Sequence, residues 1–329
     1  MENYPKISIV TPSFNQGRYI EQTILSVISQ NHPNLEYIII DGGSTDDTID
    51  IIKKYEKHIS YWISETDNGQ TDAINKGFAK CTGDIFNWIN SDDYYEPGTF
   101  KKLSNLFAMH KAVNVVCGKE WAFNDENDTE RKLHPGSIIK RNIFETIQIG
   151  IIDQPCTFFR KQCIDNFFPL DISLHYVMDR QLWWCYLLKY GQKNILQTDD
   201  VFTNFRLHTQ SKSVGEGALF EREFDRLKLS LFRHLKAPGI LEQQLAKNQN
   251  GLSVKWEVAL GPKNFILAAF ASFFAERHYI KEDLKVASKL MKLVMEWKKW
   301  KMNKKEWKLW ITTNLLPAPL LMRLKKMKN

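Results

Sequence analysis

The chain has 329 residues, 43% of them hydrophobic, so it is neither a disordered segment nor a disulfide-stabilised miniprotein. Its formal charge of +7, from 45 Lys and Arg against 38 Asp and Glu, comes from one end of the chain. Residues 281–329 carry 14 basic and 4 acidic residues, whereas residues 1–280 have a net charge of −3. Because the positive charge is confined to the C-terminal residues, the composition argues against a nucleic-acid-binding protein.

The cysteines, the N-terminal sequence and the apolar runs indicate the cellular compartment of the protein. The five cysteines are scattered and include no C-x-x-C pair, so we expect buried, reduced thiols in a cytosolic protein. The N-terminus lacks the charged and apolar segments of a signal peptide. The longest uncharged apolar run, residues 265–275, is too short to cross a bilayer. We therefore expect a cytoplasmic protein that is soluble or associated with a membrane surface.

The first hundred residues alternate between apolar runs and amphipathic segments. The apolar runs predict strands over residues 6–11, 35–40, 61–64 and 84–89. Between them apolar residues recur at helical spacing, as in Ile20, Ile24 and Val27. Ser44 followed by Asp47 resembles a capping box that opens the second helix. Such alternation is typical of a parallel sheet covered by helices on both faces, an α/β fold.

Beyond residue 100 the alternation loosens. We predict strands over residues 112–118, 155–160, 194–197 and 202–206, and a helix over 176–190. From about residue 216 the pattern is mostly helical, with helices predicted over 219–235, 240–248 and 264–278.

Polar side chains follow several of the predicted strands at one edge of the sheet. They are Asn15, Asp41, Asp67 and the adjacent pair Asp92 and Asp93. In parallel sheets ligands bind beyond the carboxyl ends of the strands. Several acids on one rim repel each other when ionised, and a divalent cation removes that cost. Each acid alone is equally typical of a solvated turn or a helix start, so the prediction depends on the whole set.

Four motifs occur in order along this half of the chain. They are TPSFN at 11–15, IDGGSTDDT at 40–48, ETDNGQTDAINKG at 65–77 and NWINSDD at 87–93. Together they resemble the family 2 glycosyltransferases, densely over residues 6–100 and traceably to about 213. The resemblance implies a GT-A fold, which is a Rossmann-like, mostly parallel central sheet with flanking helices. It also implies a catalytic domain over 1–215, with a nucleotide-binding half (1–100) and an acceptor half (101–215), followed by a helical region over 216–329.

The resemblance further implies a site for a nucleotide-diphosphate sugar, with a UDP-sugar favoured. Its residues would be Pro12, Asn15, Asp41, Asp67, Gly69, Gln70, Ser91, Asp92, Arg206 and Lys212. Asp93 would bind a divalent cation, Mn²⁺ or Mg²⁺, as part of the acidic motif. Asn90 stands where the family commonly has an acid, so the cation would depend on Asp93 and a later ligand.

The later ligand candidate lies in the segment FRLHTQSKS at 205–213, which resembles the closing loop of the family. A neutral imidazole of His208 can complete the shell of a cation, and Arg206 and Lys212 can neutralise a diphosphate. The alternative for His208 is a solvated surface residue.

Asp179 is the candidate catalytic base, at the start of the helix predicted over 176–190. The resemblance implies an inverting attack by an acceptor hydroxyl, and a base must accept its proton. The alternative is a helix-start acid stabilised by the helix dipole. Gln154, in the segment QPCTFFR at 154–160, would lie on the acceptor side. The Gln-x-x-Arg-Trp signature of processive synthases is absent after Gln181, which favours addition of one sugar per encounter.

The basic tail, residues 281–329, combines a Trp-rich apolar face over 290–311 with many lysines. A basic amphipathic helix of this kind fits an anionic membrane surface. The alternative is a helix that packs its Trp face on the catalytic domain. We expect a peripheral enzyme at the inner face of the plasma membrane, which transfers sugars to a lipid-linked or polysaccharide acceptor. Its rivals are a non-catalytic nucleotide-sugar-binding module and a nucleic-acid-binding protein.

Overall fold

The computed structural model describes residues 4–124, 128–209, 216–245, 252–259 and 263–315. The strands of these residues are β1 (Ile7–Ser13), β2 (Leu35–Asp41), β3 (Tyr61–Ser64), β4 (Ile85–Trp88), β5 (Tyr94–Tyr95), β6 (Val115–Asn124), β7 (Asp128–His134), β8 (Thr157–Arg160) and β9 (Ile195–Leu207). The α-helices are α1 (Ile20–Ile28), α2 (Thr48–Lys54), α3 (Gln70–Phe78), α4 (Thr99–Met109), α5 (Ile143–Ile149), α6 (Met178–Tyr190), α7 (Gly217–His234), α8 (Gly239–Glu242), α9 (Lys263–Ile280), α10 (Leu284–Lys298) and α11 (Lys304–Asn314).

All the strands join one sheet in the order β3-β2-β1-β4-β8-β6-β9-β5, and β7 pairs with β6. The pairs β1–β2, β1–β4 and β2–β3 are parallel, as the β-branched runs of the first hundred residues predict. β8 is antiparallel to both β4 and β6, and it joins this parallel half to the β6–β9 pair, which is also parallel. The predicted α/β architecture is confirmed, and the carboxyl ends of β1 to β4 meet at one edge.

Helices cover both faces of the parallel half because side chains alternate along each strand. On one face the apolar stripe of α1, with Ile20 and Ile24, packs in a cluster with Ile9 of β1. On the other face Ile74 of α3 packs in a cluster with Val10 of the same strand. The burial of both faces fixes the register of β1 and hence the position of the residues that follow it.

Gly77 allows α3 to approach β1 closely. A Cβ atom at this position would lie 2.4 Å from Cγ1 of Val10, which is fully buried. We therefore expect Gly77→Ala to lower the free energy of unfolding by about 1–3 kcal/mol, because the added methyl group overpacks the core. Urea denaturation measures this change. The control is Gly217→Ala, whose new Cβ would meet no atom within 4 Å. Equal stability of the two variants would contradict the prediction.

The C-terminal helices share a hydrophobic core with the sheet. Trp184 of α6, Phe270 of α9 and Leu290 of α10 belong to one cluster with Trp88 of β4. The ring centroids of Trp184 and Phe270 are 5.7 Å apart. The division predicted at residue 215 stays a prediction, because residues 210–215 lie outside the described part of the chain.

The apolar face of the basic tail packs on the protein. Leu290 and Val294 are fully buried, and Trp297, Trp307 and Trp310 pack partly buried against the core. α10 and α11 are further joined by a buried ion pair between Lys298 and Glu306. The structure thus favours the packing alternative for this face, while residues 316–329 lie outside the described part. Among the described helices, none has both the length and the apolar composition needed to cross a bilayer.

Three local predictions need correction or comment. α2 begins at Thr48, not near Ser44, because the Ser44 hydroxyl donates to Asp41 and Asp47 is the N-cap residue. The two strands predicted over 194–197 and 202–206 form one strand, β9, with an irregular register against β6. All five cysteines are buried and free.

Candidate active site

A cleft of about 870 Å³ opens at the carboxyl ends of β1 to β4 and continues into the acceptor half. It is lined by ten of the residues predicted from the sequence, namely Pro12, Asp67, Gly69, Gln70, Ser91, Asp92, Gln154, Asp179, Arg206 and His208. Three others do not line the cleft: Asp41 and Asp93 are buried, whereas Asn15 is exposed. Lys212 lies outside the described residues. The structure therefore brings most of the predicted site into one cavity.

Asp41 ends β2 and is fully buried. Its Oδ2 accepts hydrogen bonds from the backbone N–H groups of Gly43 (3.1 Å) and Ser44 (2.8 Å) and from the Ser64 hydroxyl (2.6 Å). Hydrogen bonds to a carboxylate from its own turn fix the conformation of that turn. Asp41 thus holds the Gly42–Gly43 turn, and Gly42 is the part of it that lines the cleft.

Asn15, which follows β1, also accepts a hydrogen bond from the turn after β2. Its backbone has a positive φ of 51°, and its side-chain Oδ1 accepts a hydrogen bond from the Thr45 N–H at 2.9 Å. The neighbouring Phe14 lines the cleft with a side chain that is 58% exposed. The sequence reading assigned no role to Phe14, although it lies inside the first motif.

The third motif places three residues along the cleft floor. Asp67 accepts a hydrogen bond from the Gly69 N–H at 2.8 Å, and burial raises the pKa of its carboxyl group. Gly69 has φ of +100° and is the N-cap residue of α3, so its backbone approaches the cleft without a side chain. Gln70 donates a hydrogen bond to Asn90 at 2.7 Å. Asn90 in turn donates a hydrogen bond to Oδ2 of Asp93 at 3.4 Å, so this amide links Gln70 to a buried carboxyl group.

Asp92 and His208 meet across the cleft wall. The Oδ2 atom of Asp92 lies 3.0 Å from Nε2 of His208, although 116 residues separate them in the sequence. The His208 side chain is almost completely buried, and its ring packs 4.8 Å from that of Tyr19. His208 is therefore not the solvated surface residue of the alternative reading.

Asp93 points away from the cleft. It is 1% exposed, and its Oδ1 accepts a hydrogen bond from the Arg206 N–H at 2.9 Å. Burial, with the charge of Asp92 next in size, raises the pKa of this carboxyl group well above its ordinary value. His208 hydrogen-bonds Asp92, and the binding of a cation by Asp93 and His208 together stays a prediction.

Arg206 of β9 contacts the loop that carries Asp92. Its Nε donates to the backbone carbonyl of Asp92 at 2.9 Å and a terminal nitrogen donates to Gln22 at 2.6 Å. The guanidinium group also lies 4.8 Å from the ring centre of Tyr19 and 4.9 Å from that of Phe123. The side chain is 6% exposed. These contacts join β9 to the loop that carries Asp92. Arg206 also lines the cleft, where its positive charge can face a ligand.

Asp179 faces the same cavity from the first turn of α6. Burial raises the pKa of its carboxyl group to about 6, and the nearby charge of Asp153 acts in the same direction, whereas Arg180 lowers it. A carboxylate with a pKa close to the working pH is well matched to general base catalysis. Gln181, two residues on, points away from the cavity and accepts a hydrogen bond from the Asp171 N–H at 3.0 Å.

Gln154 lines the cleft and is held by hydrogen bonds within the protein. Its amide nitrogen donates to Asn87 Oδ1 at 2.6 Å and to the Trp88 carbonyl at 2.7 Å. Both protons of its amide group are thereby used within the protein. Of its polar atoms, only Oε1 is then left to meet a substrate.

The wall beside Asp179 is attached to the C-terminal region. Glu223 of α7 accepts hydrogen bonds from the His175 N–H (2.9 Å) and the Tyr176 N–H (2.8 Å). Phe220 of the same helix lines the cleft, with its ring centre 5.0 Å from that of Tyr176. The first half of α7 is therefore part of the cleft.

A cluster that the sequence reading missed lies in the acceptor half. Glu120 of β6, His134 of β7 and Asp153 all line the cleft, and their ligand atoms lie within 4.8 Å of one another. The β6–β7 hairpin and the segment before β8 bring them together. No spacing along the chain could have shown this, because the pairing of the two strands creates the contact.

Comparison with known proteins identifies the family. A family model described as Glycosyl transferase family 2 matches residues 8–168, which include β1 to β8 and most of the cleft. Residues 8–168 of the chain belong to glycosyl transferase family 2. The predicted family and the assignment to the glycosyltransferases are thereby confirmed.

Curated relatives show which other glycosyltransferases this chain is similar to. It is 28% identical to a putative teichuronic acid biosynthesis glycosyltransferase, TuaG, of Bacillus subtilis, over 68% of this chain and 90% of TuaG. It is 25% identical to an uncharacterized glycosyltransferase of Nostoc, but the match covers 50% of this chain and only 54% of that relative. The chain thus spans about half the length of some of its curated relatives.

The fold is similar to those of two solved glycosyltransferases. TarS of S. aureus, residues 1–349 with UDP-GlcNAc, matches with a TM-score of 0.58 and 15% identity over 94% of this chain and 90% of that one. The mannosyltransferase PcManGT of Pyrobaculum calidifontis, solved with GDP-Man and Mn²⁺, matches with a TM-score of 0.51 and 14% identity over 99% and 88%. The predicted GT-A fold is confirmed.

Proposed function

We propose that this chain is an inverting, non-processive glycosyltransferase that depends on a divalent cation. It would move a sugar from a nucleoside-diphosphate sugar, with a UDP-sugar favoured, to a glycan or lipid-linked acceptor of a bacterial surface polysaccharide. The observation that carries this proposal is the single cleft that unites Asp67 and Asp92 of the nucleotide half with Asp179 of the acceptor half. The similarity to TuaG and to TarS supports the donor and acceptor classes.

Asp179 is the base in this proposal. An acceptor hydroxyl attacks the anomeric carbon, a new C–O bond forms, and the bond to the diphosphate oxygen breaks with inversion. The hydroxyl proton passes to the Asp179 carboxylate, which must be ionised to accept it. The partly buried position of Asp179 at the cleft wall limits competing reaction with water.

Asp92 and His208 would hold the cation. One carboxylate and one imidazole, with their ligand atoms 3.0 Å apart at the cleft wall, form a donor set that Mn²⁺ or Mg²⁺ accepts when substrate phosphates supply the rest. When bound, the cation neutralises the charge that develops on the leaving diphosphate. We propose that Asp93 instead orders the loop through Arg206, and that Asn90 and Gln70 position the donor with neutral hydrogen bonds.

Phe14 is proposed to stack on the nucleobase at the mouth of the cleft, beside Pro12. Stacking of a base on an aromatic ring contributes about 1–3 kcal/mol. We expect Phe14→Ala to raise the KM for the donor about 5- to 100-fold while kcat changes little, because the ring contacts only the part of the donor that does not react. Steady-state kinetics with the donor varied tests this. A lowered kcat with an unchanged KM would contradict the stacking role, and Phe14→Tyr, which keeps the ring, is the matched control.

A donor screen tests the function as a whole. The full chain is mixed with UDP- and GDP-sugars, with and without Mn²⁺, and its melting temperature and donor hydrolysis are measured. A bound donor at 100 times its Kd raises stability by about 2.7 kcal/mol, which a melting curve resolves readily. We expect stabilisation and slow hydrolysis with one UDP-sugar and Mn²⁺ together. Stabilisation by no nucleotide sugar would overturn the proposal.

We also propose that the outer face of the tail meets an anionic membrane surface. Nine lysines of α10, α11 and their flanks are exposed, namely Lys281, Lys285, Lys289, Lys292, Lys299, Lys301, Lys304, Lys305 and Lys308. Since the apolar face is already packed on α9, the contact would be electrostatic. Each lysine near such a surface adds about 1 kcal/mol at physiological ionic strength.

Replacing Lys285, Lys289 and Lys292, which form one stripe of α10, with Gln is therefore expected to lower binding to anionic vesicles at least about tenfold. The control replaces three exposed lysines elsewhere, Lys57, Lys101 and Lys111. Vesicle flotation with anionic and with neutral lipids measures the effect. Equal binding by the two triple variants would show that the α10 stripe does not contact the membrane.

A further inference from the structure

A compact group of metal-ligand side chains lies in the acceptor half of the cleft, apart from the Asp92–His208 pair. Nδ1 of His134 lies 3.1 Å from Oδ2 of Asp153 and 3.9 Å from Oε1 of Glu120. The three side chains come from β6, β7 and the segment before β8, so the sheet itself holds them together. None of them is used in the function proposed above.

The carboxyl group of Glu120 has an unsatisfied oxygen atom that a cation could contact. The residue is 4% exposed, and its Oε2 atom is buried without a hydrogen-bond partner. Burial, and then the charge of Asp153, raises the pKa of this carboxyl group well above its ordinary value. A buried carboxylate without a partner is strongly destabilising unless a cation or a donor satisfies it. Glu120 nevertheless faces the cleft beside an imidazole and a second carboxylate.

We propose that Glu120, His134 and Asp153 bind a second divalent transition-metal ion, Zn²⁺ or Mn²⁺. One imidazole and two carboxylates are ligands that both ions take, and three protein ligands leave positions open toward the cleft. The side chain of His134 is 56% exposed, which gives the ion a path to the site. The site shares no residue with the Asp92–His208 pair.

The test is a count of bound ions on the full chain without nucleotide. Wild type and variants are titrated with Zn²⁺ alone and with Mn²⁺ alone, and bound metal is measured by calorimetry and by elemental analysis after dialysis. We expect Glu120→Gln to bind one ion fewer than wild type and His134→Gln to bind that ion at least about tenfold more weakly. Asp92→Asn should keep this ion, because its carboxylate belongs to the other site.

His110→Gln is the matched control, since His110 is an exposed histidine outside the cleft. It should bind as many ions as wild type, with the same affinity. His134 is itself exposed, so the variant at this position is expected to fold, and its melting curve without metal checks this. The proposal is overturned if Glu120→Gln and His134→Gln bind the same number of ions as wild type with unchanged affinity, or if Asp92→Asn alone removes all bound metal.

Discussion

Replacing Asp179 with Asn is expected to lower kcat by about 10²- to 10⁴-fold while leaving the affinity for the donor nearly unchanged. The amide keeps the size of the side chain and can still accept the hydrogen bond that Oδ1 receives from the Arg180 N–H at 2.7 Å. It cannot take a proton from the acceptor hydroxyl. The loss therefore falls on the chemical step and not on donor binding.

Donor affinity by calorimetry and single-turnover rates separate these two effects. The control is Asp165→Asn, which removes an acid from an exposed pair with Lys161 and should leave both quantities unchanged. Turnover that survives in Asp179→Asn would rule out Asp179 as the base. Loss of donor affinity in this variant would assign Asp179 to binding.

The pH profile gives an independent reading of the same group. Because burial raises the pKa of Asp179 to about 6, the carboxylate is ionised above pH 6 and protonated below it. A base must be ionised, so kcat/KM, which reports the free enzyme, should be constant at high pH and fall about tenfold for each pH unit below 6. In Asp179→Asn this acid limb should disappear. A wild-type rate that stays constant down to pH 4.5 would contradict the assignment.

The second large effect is expected at the acidic motif, where adjacent residues should behave differently. Asp92→Asn should lower kcat/KM by about 100-fold or more, because the cation loses the charged ligand that lies 3.0 Å from His208. Asp93→Asn should have an effect at least about tenfold smaller, since the amide oxygen still accepts the hydrogen bond from the Arg206 N–H.

Titration of activity with Mn²⁺ distinguishes the two positions. Asp92→Asn should need a higher Mn²⁺ concentration for half-maximal rate, whereas Asp93→Asn should keep the wild-type value. If Asp93→Asn instead needs the higher Mn²⁺ concentration and Asp92→Asn keeps the wild-type value, Asp93 is the cation ligand. Melting curves of both variants control for damage to the loop, because Asp93 is buried and Asp92 is only partly exposed.

The donor half of this protein was predictable because its signals are local. The β-branched runs and the turn residues of β1 to β4 lie within a few residues of the acids that follow them, and the parallel sheet brings those acids to one edge. Adjacent residues such as Asp92 and Asp93 are harder to tell apart. Which of them faces the cleft depends on the path of the turn, and the sequence pattern is the same for both.

The acceptor half and the tail show two further limits. Glu120 and His134 meet only because β6 and β7 pair, and a hairpin register cannot be read from the polar residues 128–134. The tail shows an amphipathic pattern that serves equally well for a membrane and for a protein core. Here Val294 and Trp310 pack on α9 because that helix is apolar around most of its surface.

The attachment of Glu223 to the backbone of His175 and Tyr176 has an evolutionary consequence. The wall of the cleft beside Asp179 is held by a helix that begins at Gly217. The C-terminal helices lie beyond residues 8–168, which match the family model, so this wall is formed partly by a region outside the match. Lineages that exchange or remodel these helices would change the shape of the wall while keeping the strand-end residues of β1 to β4.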